Sequence, residues 1–482
     1  MTLLDNIRKE QTFTYTENGA LAFNTTANAL VDLFAVAGAL RNRDDNDIYT
    51  LFGKAMVENK LLATKLAFYT RDIRGGLGER RTGRLMFRYL AHMYPDIFVK
   101  NIAFIPEYGR YDDLVYLLYD APEQVSGLIK TQLNQDIQNK KEGLPISLLA
   151  KWLPSVNTSN RDTVKKGKYL AKLLGMSEKD YRKTLSELRD YLKVVEVDMS
   201  AKNYGDINYP EVPSKAMTNY RNAFRRNDEE RFNDYLSQVQ KGEAKINSSV
   251  LYPYDIVETY LYKNPAEDTV LEEQWKALPN YVEGDNRFLV MADVSGSMYG
   301  RPMATSIGLA MYFAERNQGP FANTFMTFSA RPELVDIKGD SLAERIRYIQ
   351  NADWSMNTNL GAALILVLRT AIRYNTPKEE MPTSIVVITD MEFDACANRD
   401  WGFYDQMADQ FKASGYDIPN IVFWNVNSRH NTYHASFDRK GVQLASGQSA
   451  TVFASLTKGL DLSPYDYMLT VLDTERYNKI TV

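Results

Sequence analysis

One cysteine, Cys396, among 482 residues cannot form an intramolecular disulfide, and such usage suits a reducing compartment. Histidine is nearly as scarce, with three copies, and no Ser-His or Cys-His set is visible. A hydrolytic enzyme built on such a set is therefore not expected. No apolar run approaches the roughly 18 residues of a membrane span, so no membrane role is expected. The stretch Met1–Glu10 lacks a basic flank followed by an apolar core, so no signal peptide is expected either. Charge of one sign does not prevail: the formal net charge is −4, and any attraction for polyanions must come from local patches. What remains is ordinary for a soluble globular chain, 44% apolar and 24% charged, with room for several domains. We expect a cytoplasmic monomer, in a host cytoplasm or a virion if the source is viral.

The first 285 residues read as helices. An aromatic and polar arm to about residue 25 lacks periodicity, and apolar faces at helical spacing begin at Asn28. Helix pairs with short turns recur to about residue 240 with no strand alternation, as in an α-solenoid of HEAT type. Two stretches are rich in cations. Around a glycine turn, Arg71, Arg74, Arg80, Arg81, Arg84 and Arg88 cluster, and from Lys60 to Arg110 ten Lys/Arg face four Asp/Glu. Arg80, Arg84 and Arg88 share one helix face by their spacing of four. Farther on come Lys165, Lys166 and Lys168, then Lys215, Arg221 and Arg225 interleaved with Tyr220 and Phe224. Guanidinium forks match phosphate oxygens, and basic side chains beside aromatics suit single-stranded nucleic acid. The alternative is a solvated face of intrahelical pairs, with the aromatics in the core.

Residues 286–482 change character. Short apolar runs alternate with helical patterns, predicting strands near 287–293, 321–328, 384–390, 420–426 and 441–445. Helices are expected near 302–316, 341–350, 359–374, 402–413 and 465–477. That order gives a mostly parallel sheet covered on both faces, hence an α plus α/β multidomain chain divided near residue 285. Ligands of such sheets bind beyond the carboxyl ends of the strands. There the run Phe288-Leu-Val-Met-Ala-Asp293-Val-Ser295-Gly-Ser297 places one acid and two hydroxyls at alternate positions. Oxygen donors without His or Cys suit a hard divalent cation, Mg²⁺ first, with Mn²⁺ or Ca²⁺ as alternatives. Thr358 precedes a helix and Asp390 ends a second buried run, Ser384-Ile-Val-Val-Ile-Thr-Asp390. In the bland reading Ser295 and Ser297 only cap a helix. Glu392, Asp394 and Asp400 lie on the following loop as supporting acids. His430 and His434 sit on a polar loop where exposure is the simpler expectation.

Asp293, Ser295, Ser297, Thr358 and Asp390 together resemble the metal-ion-dependent adhesion site of von Willebrand factor A domains. That resemblance implies direct ligation by the two serines and the threonine, aspartates acting through water, and a partner's acidic group completing the shell. Over nearly its whole length the chain resembles the TROVE–von Willebrand A family of Ro-like RNA-binding proteins. It is closer still to a related plant, bacterial and phage family of the same layout. The resemblance rests on Phe68-Tyr-Thr-Arg-Asp-Ile-Arg-Gly-Gly, Ile105-Pro-Glu-Tyr-Gly-Arg-Tyr-Asp-Asp-Leu, Lys151-Trp-Leu-Pro, Asp293-x-Ser-x-Ser-Met and Ile388-Thr-Asp-Met-Glu-Phe. It implies a helical ring with a basic inner rim, its ends joined by the A domain. It further implies noncatalytic binding of single-stranded RNA ends or structured noncoding RNA. Here residues 1–285 hold 39 Lys/Arg against 40 Asp/Glu, so RNA contact falls to the clusters named above. A metal-dependent adaptor or viral structural component without RNA is the alternative. Convergence of the arginines on one cavity favours RNA, and pairing with acids favours the adaptor.

Overall fold

The computed structural model describes residues 12–482 apart from 264, 266, 283–286, 329–330, 352–359 and 394–402, with backbone alone at 403–405 and 457–458. Thr358, Asp394, Cys396 and Asp400 lie outside the described residues. The chain opens with a hairpin, β1 (Phe13–Tyr15) against β2 (Leu21–Phe23). A helical region runs from Ala29–Val36 to Thr269–Lys276, and a mixed sheet with its helices follows.

Helix boundaries in the first region follow local chemistry. Asn59 starts Lys60–Arg71 by accepting from the Leu62 amide at 3.0 Å. Pro122 opens the long helix Pro122–Lys141, where a missing amide hydrogen costs nothing. Asp45–Glu58, Lys60–Arg71 and Arg80–Met93 pack against one another, and Glu178–Tyr191 packs on Pro122–Lys141. A separate small core, with Phe224, Phe232 and Val270, serves residues 195–270.

The sheet comprises β3 (Phe288–Ala292), β4 (Thr324–Thr327), β5 (Leu334–Asp336), β6 (Ser384–Thr389), β7 (Asn420–Asn425) and β8 (Val442–Ser446). Their order is β5-β4-β3-β6-β7-β8, parallel except for the edge strand β5. Every residue of β3 and β6 is buried, which explains their continuous apolar runs. Val290 pairs with Val386, a register that ends both central strands beside each other at Asp293 and Asp390.

The two regions share one core rather than meeting at a thin contact. Ala29–Val36 lies on β8, and Gly38 meets Gly447 so closely that a Cβ at Gly38 would sit 2.5 Å from Gly447 Cα. At the far end of the helical region, Pro253–Lys263 packs along Arg301–Arg316. Both ends of the helical region therefore rest on the α/β region. Asp72, buried at the close of Lys60–Arg71, receives Arg476 Nη2 at 2.6 Å and the Tyr477 hydroxyl at 2.9 Å.

Candidate functional sites

The first site lies beyond the carboxyl ends of β3 and β6. The Asp293 amide donates to Ile388 O at 3.0 Å, extending the ladder by one step before the chain turns. Asp293 Oδ1 accepts from the Ser295 amide at 2.8 Å, and Oδ2 accepts from the Thr389 hydroxyl at 2.7 Å. Those bonds fix the carboxylate while leaving each oxygen a free lone pair. Ser295 and Ser297 are not buried, and their hydroxyl oxygens are 3.1 Å apart. Adjacent ligands of an octahedral ion with bonds near 2.1 Å lie about 3 Å apart, so the pair is spaced as cation ligands would be. Asp390 is buried and accepts from the Glu392 amide at 3.3 Å. Burial first, and the Asp390 charge second, push the Asp293 carboxyl up to about 6. Of these two buried carboxylates, Asp390 has Arg429 3.1 Å from its Oδ2, while Asp293 meets no cation among the described residues. A divalent ion would relieve this imbalance, and the donor set fits one.

Neither histidine of the neighbouring loop is a ligand candidate. His434 is not exposed as its polar loop suggested: it is buried, stacked on Phe393 and 2.9 Å from Met391 O. Burial holds its pKa down at about 4, so it remains neutral. His430 is exposed and meets Glu17 at 2.6 Å. Glu392 supports the site from behind, accepting from the Glu17 amide at 2.7 Å, and burial raises its carboxyl.

The second site is a cleft of about 490 Å³ between Arg80–Met93, Tyr111–Tyr116, the 149–158 turn and the start of Arg161–Leu173. Asp112 of the 105–114 segment and Lys151-Trp-Leu-Pro line this cleft, and the 68–76 segment supports it from behind through Arg71. Arg71 is buried and pairs with Asp113 at 2.8 Å. Asp113 also accepts from Arg84 Nε at 2.6 Å and from the Arg110 amide at 2.9 Å. Gly109 is required there, because any Cβ would collide with the Asp113 carboxylate. The Arg110 guanidinium lies 4.0 Å from the centre of the Trp152 ring. Across the cleft, Arg189 donates to Ala150 O, Leu153 O and Ser155 Oγ, each at 2.8 Å. Its charge meets no carboxylate among the described residues, and neither do those of Lys151 and Lys166, both half-buried in the cleft wall. Arg84, Lys151, Lys166 and Arg189 thus face one lining acid, Asp112.

The other predicted cations divide differently. Arg71 cannot meet a solvent-borne ligand, because its side chain is interior. Arg221 is likewise buried, 2.6 Å from Asp268, which Arg225 also reaches at 3.0 Å. Arg80 meets Asp112 at 2.6 Å, Arg81 meets Asp45, and Arg88 meets Asp120 at 3.2 Å. Lys168 pairs with Glu178 at 3.1 Å and Lys215 with Asp255 at 3.3 Å. Arg74 is exposed and donates to Glu107 O at 2.6 Å, and Lys165 is exposed on its helix. Of the predicted nucleic-acid contacts, Arg84 and Lys166 line the cleft. Lys151, Trp152 and Arg189 join them; the first two belong to the Lys151-Trp-Leu-Pro motif, while Arg189, on Glu178–Tyr191, carried no signal in the sequence.

Comparison with known proteins gives four findings. The model of a family described as a domain of unknown function, DUF2828, matches residues 16–126 and 112–285. A second, DUF7788, also a domain of unknown function, matches residues 288–462. An uncharacterised protein of Acanthamoeba polyphaga mimivirus is 29% identical over 509 residues, spanning 97% of this chain and 88% of its own. Among solved structures, the crystal structure of the Deinococcus radiodurans Ro (RSR) protein aligns with a TM-score of 0.49 at 15% identity. That alignment covers 89% of this chain and 99% of the other.

Proposed function

The chain belongs to the DUF2828 family, and on that premise we propose that it is a noncatalytic RNA-binding protein. Its α/β region, in this reading, is a von Willebrand A-type domain that holds a divalent cation. Asp293, Ser295, Ser297, Thr358 and Asp390 would hold that ion, Mg²⁺ foremost. The ion would offer a coordination position to an acidic group of a protein partner.

The observation that carries the RNA reading is the cleft. Three cations that meet no carboxylate among the described residues, Lys151, Lys166 and Arg189, line the same cleft as the half-buried Trp152. Single-strand binders combine these two elements, cations for the phosphate chain and an aromatic face for a base. A bare phosphate site would not need the indole, and an apolar ligand would not need the cations.

A second reading is favoured by one observation: the ridge arginines Arg80, Arg81, Arg84 and Arg88 all meet carboxylates. Such pairing suits a protein-interaction adaptor, or a viral structural component, that uses the metal site alone. A fluorescent single-stranded RNA with an adjoining stem, titrated across a salt series with Mg²⁺ present, separates the two. Binding that weakens steeply with salt, with a log–log slope falling by about 2 in Lys151→Glu/Lys166→Glu, supports RNA recognition at the cleft. No binding at low salt leaves the adaptor.

A further inference from the structure

The amino-terminal hairpin reaches the rim of the metal site, and nothing assigned so far uses it. Its turn seats on the loop after β6. The Thr16 hydroxyl donates to Phe393 O at 2.6 Å, and Asn18 Nδ2 donates to Glu392 O at 2.7 Å. Phe23 and Tyr433 exchange both backbone hydrogen bonds at 2.9 Å, pairing the hairpin with the loop after β7. These contacts bring Glu17 to Arg429. Arg429 Nη1 lies 2.5 Å from Glu17 Oε2, while Nη2 lies 3.1 Å from Asp390 Oδ2. Its Nε is buried with no hydrogen-bond partner among the described residues. The loop that carries Arg429 is pinned from the helical side, where the Ser428 amide donates to Ala39 O at 2.9 Å.

One guanidinium therefore spans two carboxylates that belong to different parts of the chain. It is a positive charge placed against Asp390, the acid beside Asp293, where a divalent ion would compete with it. We propose that Arg429 is a resident counter-ion which lowers the cation affinity of the Asp293–Asp390 site, and that Glu17 moderates it by drawing its charge away. Arg429 and Glu17 would thus set affinity without being ligands. This inference rests on the cation reading of that site. The other charges facing Arg429 and Glu17 are Glu392, behind the loop, and His430, on the far side of Glu17.

The signs follow from Coulomb's law. Removing Arg429 leaves Asp390 without that competitor, so a cation binds more tightly. Neutralising Glu17 leaves Arg429 wholly to Asp390, so a cation binds more weakly. In the double variant the effect of Glu17 disappears, because the charge it acts on has gone.

The experiment is a Mn²⁺ titration of the full chain followed by electron paramagnetic resonance and calorimetry. The forms compared are wild type, Arg429→Gln, Glu17→Gln, the double variant and Asp390→Asn. We expect Arg429→Gln and the double variant to bind about three- to tenfold more tightly than wild type, and Glu17→Gln to bind more weakly. Glu17 is partly exposed, so its variant keeps the test open even if Arg429→Gln does not fold. Saturable Mn²⁺ binding by wild type that is indifferent to both substitutions overturns the counter-ion role alone. Wild type that binds no more Mn²⁺ than Asp390→Asn overturns the cation reading and this inference with it.

Discussion

The arginine ridge and the cleft beside it are made of the same residue types, and their charges are spent differently. On and beneath the ridge, Arg84, Arg88 and the interior Arg71 each close onto an aspartate distant in sequence, Asp113 or Asp120. In the opposite wall, Arg189 is held by carbonyls, and Lys151 and Lys166 by no carboxylate among the described residues. A cation matched by an acid holds helices together, while one fixed by neutral groups retains its field for a ligand. Counting Lys and Arg along a sequence cannot separate the two, because the matching acid comes from elsewhere in the fold.

The hardest way to break this comparison is at Arg71. Arg71→Met leaves the Asp113 carboxylate buried with one guanidinium fewer, and stability should fall by about 3–5 kcal/mol in urea denaturation. Arg71→Met/Asp113→Leu should recover much of that loss, as expected where the pair's desolvation rivals its attraction. Charge reversal in the opposite wall should behave in the reverse manner. Lys151→Glu/Lys166→Glu should cost RNA affinity about ten- to a hundredfold, while thermal unfolding stays near wild type. Trp152→Ala should reduce affinity by about 1–3 kcal/mol at any salt concentration, since stacking is not screened. The smallest effect belongs to Arg80→Ala. Its pair with Asp112 is half exposed, so stability should change by less than about 1 kcal/mol and RNA affinity hardly at all. A large affinity loss there would place RNA on the ridge instead.

The α/β region was largely legible because buried parallel strands write continuous apolar runs, and their ends coincide closely with the expected ones. The short edge strand Leu334–Asp336 and the helix Thr451–Gly459 escaped, the first being only three residues long and the second following a strand without a cap. The acid and hydroxyls after β3 were legible too, since a strand end is a fixed place in such sheets. Arg71 was misread because its helix is buried on nearly every side, which hides the periodicity that marks a solvent face. The hairpin contact was beyond reach: Glu17 and His430 stand 413 positions apart, and neither belongs to a periodic pattern.

Asp72 carries a consequence for synthesis. A ribosome must add 404 residues after Asp72 before Arg476 exists to meet it. Until then a carboxylate destined for the interior lacks that guanidinium; in the finished fold the nearby amides of Arg74 and Gly75 also donate to it, at 2.9 and 3.1 Å. The early helices are therefore made long before their own interior can be finished, and the nascent chain must keep them from mispairing in the meantime.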